Sequence, residues 1–371
     1  MIRSFLIHGY IPQFMLISTL VPIVKDKLAS INLSKNYCSV CITSLVLKQF
    51  DWITISLYGD KMAFHDLQFG YQASVSAPMC SWAVIETINY FLRNDSDVFS
   101  CSQDKSKAFD LCRFSILFRK MMVISLVFLR VIIYVYIHQF YNVCYNSEIS
   151  SSFSIANGVG QGKILAGTAY CFYCKDLFDI LEKSGFGCTV NGVYAGIFGY
   201  SNDDLLLAPS VSGLQKMIEI SSAYCNSHGL RFSTDPDPRK SKTKCISWMR
   251  APQLLPKMQL GVHELPWVDT IVHLGNTITN QVNVITTDMN LKMGRYVGKN
   301  IELNQEFSFA AQETKIRINN IYNSSWYGSV LWDLFSPASV KIKSAYNRSM
   351  KVTMKLHWAT HRELIEPLSQ S

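Results

Sequence analysis

Short apolar runs bounded by turn-forming residues predict strands over 20–24, 98–102, 194–198, 205–208 and 243–248. The runs over 194–198 and 205–208 flank Gly-Tyr-Ser-Asn-Asp, a turn-forming stretch, and predict a hairpin. Longer stretches with helical spacing predict helices over 80–92, 114–140, 169–183 and 211–228. In the last, Leu214, Met217, Ile218 and Cys225 share a face, and Gly229 stands where a left-handed residue closes a helix. Asp235-Pro236-Asp237-Pro238 is a turn-rich break. Strands interleaved with helices predict a mixed α/β sheet covered by helices. Beyond about residue 285 the pattern is helical and basic.

Composition narrows the class. With 371 residues, 49% apolar and 17% charged, the chain can bury two or three packing units and is not of the disordered class. Lys and Arg number 35 against 27 Asp and Glu, a net charge of +8. Residues 281–371 hold 11 basic and 7 acidic residues, so the last quarter carries +4 of it. Such an excess is compatible with a polyanionic partner such as nucleic acid.

Eleven scattered cysteines argue against a small disulfide-stapled domain. Cys38/Cys41 and Cys171/Cys174 form two C-x-x-C pairs. Between them lie 129 residues, where compact zinc modules have about 15–20, so free thiols are the expectation. His8, Gly9, Pro12 and Gln13 interrupt any leader-like apolar run. Residues 121–137, MMVISLVFLRVIIYVYI, are short for a membrane span and carry Arg130. A buried helix is the other reading.

Two acidic clusters carry candidate chemistry. Asp104-Lys-Ser-Lys-Ala-Phe-Asp110 follows the predicted strand 98–102, and Asn202-Asp203-Asp204 falls in the predicted hairpin turn. Carboxylates at a strand end and a neighbouring turn can converge, and converged carboxylates hold hard cations such as Mg²⁺. Two such ions about 3.5–4 Å apart clamp the attacking and leaving oxygens of a phosphoryl transfer. Acidic residues at turns are more commonly solvated turn formers, and the spacing alone leaves both readings open.

The surrounding residues are more specific. DKSKAFD (104–110) resembles the first catalytic motif, D-x-S-K-A-F-D, of reverse transcriptases from non-LTR retrotransposons. SFSIANGVGQGKIL (152–165) resembles their second motif, and FGYSNDDLLLAPS (198–210) is similar to F-G-Y-A-D-D with the apolar residues and A-P-S that follow. HGLRFS with KSKTKCI (within 228–246) and VHLGNTI (272–278) resemble the next two. Upstream, LVPIVKDK (20–27), the stretch 36–53 and LQFGYQ (67–72) are similar to finger motifs; IYNSSWYGSVLWDLF and THRELIEPLS resemble the tail of jockey-like and chicken-repeat-type elements. The order and spacing match over nearly the whole chain.

The resemblance implies an α/β (α+β) right-hand polymerase: fingers over 1–95, a palm with an antiparallel sheet covered by helices over 96–280, and a helical, basic thumb over 281–371. It implies an RNA-directed DNA polymerase using Mg²⁺, with Mn²⁺ as the alternative, an RNA template, a DNA primer and deoxynucleoside triphosphates. Asp104 and an acid of the hairpin turn would hold the metal. Phe109 would lie under the incoming sugar, with a core Phe as the plainer reading. Gly158, Gln161 and Gly162 would let the backbone approach nucleotide and template, or simply form a turn. Lys25 would meet the triphosphate and Lys242 the pyrophosphate leaving group, or both are solvated lysines. Lys292, Arg295, Lys299, Lys315 and Arg317 would grip a duplex backbone, while Trp326, Tyr327 and Trp332 would pack the thumb core. In this setting residues 121–137 read as palm helix, with no membrane association.

The chain departs from the pattern where the chemistry is concentrated. Aligned without a gap, the family's Y-A-D-D becomes Tyr200-Ser201-Asn202-Asp203, so Asn202 replaces the chief acid of the turn. Inserting one residue keeps Asp203-Asp204 as the pair but shifts the next strand by one, which would exchange its faces. The ungapped reading is preferred; the site candidates are Asp104, Asn202, Asp203 and Asp204, with Asp104 and Asp203 as metal ligands. Gly160 replaces the Arg of G-V-R-Q-G, Ala166-Gly167 replaces Ser-Pro, and Cys38 replaces a finger Arg. The chain begins inside the fingers and reads as a truncated, decaying copy. A catalytically dead nucleic-acid-binding remnant is therefore the second expectation. The sequence gives no oligomeric state and does not separate nucleus from cytoplasm.

Overall fold

In chain order the elements are α1 (Ile2–His8), β1 (Ile17–Val24), β2 (Tyr37–Ile42), α2 (Leu45–Tyr58), α3 (Ala77–Arg93), β3 (Val98–Ser106), α4 (Phe114–Lys120), α5 (Leu126–His138), β4 (Phe140–Tyr145), α6 (Ile164–Lys183), β5 (Ile197–Tyr200), β6 (Asp203–Ala208), α7 (Val211–Ser227), β7 (Arg231–Phe232), β8 (Lys244–Trp248), β9 (Thr270–His273), β10 (Asn276–Thr279), α8 (Thr286–Glu306), α9 (Gln312–Tyr322) and α10 (Pro337–Thr353), with shorter ladders and turns between them. They come from a computed structural model, which describes residues 1–25, 30–33, 36–235, 237, 240–251, 253–281, 284–323 and 326–365. Parts of LVPIVKDK, IYNSSWYGSVLWDLF and THRELIEPLS, and residues 236, 238 and 239 of the loop before β8, lie outside the described residues.

The expectation of a mixed α/β chain with an antiparallel sheet covered by helices is met. β3 pairs antiparallel with β6 on one side and with β7 and β8 on the other, and β6 pairs with β5. Side chains alternate between the faces of such a sheet. On one face Phe99, Cys101, Leu206 and Ala208 join a core with buried residues of α4, α5, α6 and α7. On the other, Val98, Leu205 and Leu207 meet Val84 and Ile88 of α3, Ile271 and Ile278 of the β9–β10 hairpin and Met289 of α8. Each face of the sheet thus has its own core.

α7 forms as its pattern predicts. Ser210 caps it, its hydroxyl accepting from the Gly213 amide at 3.1 Å. Leu214, Met217, Ile218 and Cys225 are buried, and Gly229 closes the end with φ +73°. The predicted helix over 114–140 instead divides. After a 3-10 turn at Met121–Val123, Ile124 takes up extended backbone, and α5 starts afresh beyond Ser125. Phe128, Leu129, Val131, Ile132, Val135 and Tyr136 enter the core. The exposed Arg130 donates to the carbonyls of Leu6 and Ile7 at 2.8 and 3.3 Å, closing the end of α1. Among the described residues no helix is long and apolar enough to cross a membrane. Cys171 and Cys174 are buried on α6, while Cys38 and Cys41 lie on β2.

A second sheet takes up the predicted strand 20–24 as part of β1. β1 pairs antiparallel with β2 and parallel with β4. The C-terminal region is helical as expected, and its helices are joined by polar contacts: the Asn300 amide donates to Asn319 Oδ1 at 3.1 Å and to Thr353 Oγ1 at 3.0 Å. Two of the five cations expected to grip a duplex are buried here. Lys292 pairs with Asp288 at 2.7 Å and donates to Asn276 at 2.8 Å; Lys315 donates to the Ser308 carbonyl at 3.2 Å. Arg295, Lys299 and Arg317 remain exposed. Trp326 stacks on Tyr296 at 4.7 Å and Trp332 donates to Asp288 at 3.3 Å, so both pack the helical region, while Tyr327 is substantially exposed beneath Lys292.

Candidate active site

The register of the β5–β6 hairpin places its three polar residues. Tyr200 pairs with Asp203 and Gly199 with Asp204, leaving Ser201 and Asn202 as a two-residue turn. Ser201 has φ +62°, the left-handed value that such tight hairpin turns demand. Asn202 thus lies in the turn and Asp203 opens β6.

Across the sheet Asp203 lies directly opposite Asp104. Asp104 is part of β3, which runs four residues further than its apolar pattern predicts. Directly opposed residues hold their Cβ atoms about 4.5–5.5 Å apart, so the two carboxylates share one small space. Lys242 is 3.3 Å from Asp104 with its side chain 70% exposed, and the Asn202 amide donates to Asp203 at 3.4 Å. Burial, and then the charges of Asp104 and Asp204, push the Asp203 pKa up to about 6 against the pull of Lys105 and Lys242.

Asp204 does not join this pair. One residue further along β6 it points through the sheet, is 1% exposed and accepts a hydrogen bond from Lys105, itself 2% exposed. Cys174 of α6 and Cys225 of α7 surround the lysine. Burial raises the Asp204 carboxyl and is also the largest single effect on the Lys105 ammonium, which it opposes; the Asp204 charge and hydrogen bond together with Cys174 and Cys225 exceed it, and the Lys105 pKa rises. Strand alternation turns Asp204 to the core side of the sheet, away from Asp104 and Asp203. Among the described residues no group of three or more His, Cys, Asp or Glu is arranged to hold a metal ion.

The other candidates fall around the turn that follows β3. Phe109 is half-buried and stacks on Tyr170 at 4.8 Å. The amides of Gly158 and Val159 donate to the carbonyls of Cys112 and Phe109, strapping the second-motif loop onto this turn. Gly158, at φ +97°, would drive a Cβ to 3.0 Å from the Asp110 carbonyl oxygen, so the close approach requires glycine. Gln161 and Gly162 lie instead against β2: the Cys41 amide donates to the Gln161 carbonyl at 2.7 Å, and Cys38 Sγ lies 3.1 Å from Gln161 Oε1. Cys38, at the expected finger Arg position, thus contacts the motif loop without a positive charge. Lys25 is exposed, and its charge, with that of Lys107, opposes the rise that burial gives Asp110. The structure brings Asp104, Asn202, Asp203 and Lys242 together. It ties Phe109 and Gly158 to the turn after β3, and Gln161 and Gly162 to β2.

Two residues at this site were missed in the sequence. Lys105 had a signal: extending the alternation Phe99, Cys101, Gln103 by one step puts it on the core side. Gln68 had none, since a loop glutamine carries no chemical pattern. Its amide nevertheless contacts the backbone of Ser201.

Searched by sequence, the chain matches no family model and no curated protein. By structure it is similar to apo telomerase of Candida tropicalis truncated from its C-terminal domain, with a TM-score of 0.47 and 13% identity over 72% of this chain and 54% of that one. Telomerase of Candida albicans in complex with a TWJ fragment of telomeric RNA gives 0.45 and 11% over 97% and 66%. The Candida tropicalis telomerase complex with such a fragment gives 0.44 and 9% over 96% and 64%. The chain spans about half to two thirds of the length of these proteins.

Proposed function

We propose that this chain is the reverse transcriptase domain of a non-LTR retrotransposon, a right-hand RNA-directed DNA polymerase impaired at its acid cluster. One observation carries the reading: Asp104 and Asp203 stand directly opposite each other beside a two-residue turn, inside the motifs that resemble that family. The proposed divisions are fingers over 1–95, palm over 96–280 and thumb over 281–371.

The donor set was tested against a hard cation. Two carboxylates and the amide oxygen of Asn202 are oxygen ligands of the kind Mg²⁺ and Mn²⁺ take. Burial first, and then the like charges of Asp104 and Asp204, raise the Asp203 pKa, as expected of a partly buried carboxylate pair that a cation would neutralise. The residues fit one such ion, held by Asp104 and Asp203. Bound there, it would supply charge stabilisation at the attacking and leaving oxygens of nucleotidyl transfer. Lys242, exposed and next to Asp104, would meet a phosphate as a mobile point charge. Phe109 and the Gly158 loop would shape the floor on which a deoxynucleotide rests, with an RNA template and a DNA primer as partners. Asn202 adds no negative charge, so the pair has lost part of its pull on a divalent ion.

The second reading, a nucleic-acid-binding remnant without catalysis, is favoured by that same neutral Asn202. Primer extension on an RNA template with Mg²⁺ or Mn²⁺ separates them. The expected result is little extension from the chain as it stands and at least about tenfold more from Asn202→Asp, a gain worth ~1.4 kcal/mol. Extension that survives Asp203→Ala unchanged refutes the proposal. Salt-sensitive duplex binding with no extension from either form supports the remnant.

A further inference from the structure

We propose that Gln68 is a positioning residue for the acid pair: its side-chain amide clamps the backbone of Ser201 and so fixes the hairpin that carries Asp203. This rests on reading Asp104 and Asp203 as a cation-binding pair.

The turn needs holding. Ser201 is a non-glycine residue in the left-handed region, a conformation that persists where surrounding contacts over-determine it. Gln68, 1% exposed, supplies those contacts from both ends of one amide. Its Oε1 accepts from the Ser201 amide at 2.8 Å and from the Gly70 amide at 3.0 Å, and its Nε2 donates to the Ser201 carbonyl at 3.2 Å. The peptide groups on both sides of Ser201 are thereby fixed by one side chain.

The segment around Gln68 is itself anchored to β5. The Phe69 amide donates to the Gly199 carbonyl at 2.7 Å, and the Gly199 amide donates to the Leu67 carbonyl at 2.9 Å, covering the free edge of the hairpin. Two glycines make the approach possible. A Cβ on Gly70 would run into the Ser201 nitrogen, and one on Gly199 would come within 2.9 Å of Gln68 Nε2 and 3.0 Å of Asp204 Oδ1. Gln68 therefore lies beside the buried Lys105–Asp204 pair as well as under the turn. A neutral amide is suited to that position, since a carboxylate there would face Asp204 with like charge.

The test compares the full chain with Gln68→Met, which keeps length and volume and removes every side-chain hydrogen bond. A second variant, Gly70→Ala, keeps the amide and pushes a methyl group against the Ser201 N–H. In both, the expected result is faster hydrogen exchange at the Ser201 amide, whose hydrogen bond to Gln68 Oε1 is lost or displaced. Mn²⁺ affinity, measured by electron paramagnetic resonance, falls about tenfold, as for other groups that orient a metal ligand. A general loss of stability would speed exchange across the whole sheet rather than at the Ser201 amide alone. A folded Gln68→Met chain with unchanged Ser201 exchange and, where the parent binds Mn²⁺, unchanged Mn²⁺ affinity overturns the proposal. Absence of Mn²⁺ binding in the parent chain refutes the cation reading instead, and the Ser201 exchange result still decides the clamp.

Discussion

Asp203 and Asp204 are adjacent on β6, yet one faces Asp104 beside an exposed lysine and the other is sealed against Lys105 between the sheet and the helices. The same side chain has two fates because a strand sends successive residues to opposite faces. On the outer face, charge is left incompletely compensated, as a site that takes up a cation requires. On the inner face it is matched within the protein by the buried Lys105.

The largest effect expected from this contrast is at the inner pair. Asp204→Ala strands the Lys105 ammonium in the core and should cost about 3–5 kcal/mol in chemical denaturation, whereas replacing both residues by leucine should be neutral or stabilising. A cost for Asp203→Ala equal to that of Asp204→Ala would erase the distinction between the faces.

A smaller effect of opposite sign is expected on the outer face. The folded pKa of Asp203, about 6, lies above its ordinary 3.8. The folded chain therefore holds this proton more tightly than the unfolded chain does. The group's penalty is absent below about pH 4, grows as pH rises and is complete above about 6. Asp203→Asn should then stabilise the metal-free chain by about 1 kcal/mol at pH 7, after allowance for solvent screening, and by nothing at pH 4. Denaturation curves at the two pH values check it.

The smallest effect belongs to Lys242→Ala. Its contact with Asp104 is made by a side chain 70% exposed, and loss of such a pair should change stability by less than about 0.5 kcal/mol. A larger loss would mean that the outer face, like the inner, is held by its ion pair.

What the sequence made legible follows the same division. The hairpin, α7 and the helical C-terminal region announce themselves through turn residues, apolar spacing and a closing glycine. The opposition of Asp104 and Asp203 is accessible once the turn is taken as two residues long. The Lys105–Asp204 pair is not, because a charged residue in a strand reads as solvent-facing until its partner across the sheet is known. Lys292 and Lys315 misled for the same reason: each is neutralised or bonded by residues that only the folded helices bring near. The break between α4 and α5 is hidden inside an unbroken apolar run. β4 is hidden too, since it follows that run with a single residue between.

The parallel pairing of β1 with β4 also has a consequence in time. Ile17 meets Phe140, a residue synthesised 123 positions later. At about 5–20 residues per second, β1 leaves the ribosome roughly 6–25 s before its partner. In that interval it has β2 for company, and a two-stranded ribbon is only marginally stable in water. One long edge of β1, with Leu20 and Ile23 along it, stays open to other chains. Slower translation between residues 24 and 140 lengthens this exposure, so the yield of soluble chain should depend on codon speed there more than in the stretch that encodes the β5–β6 hairpin, whose paired residues lie three to nine positions apart.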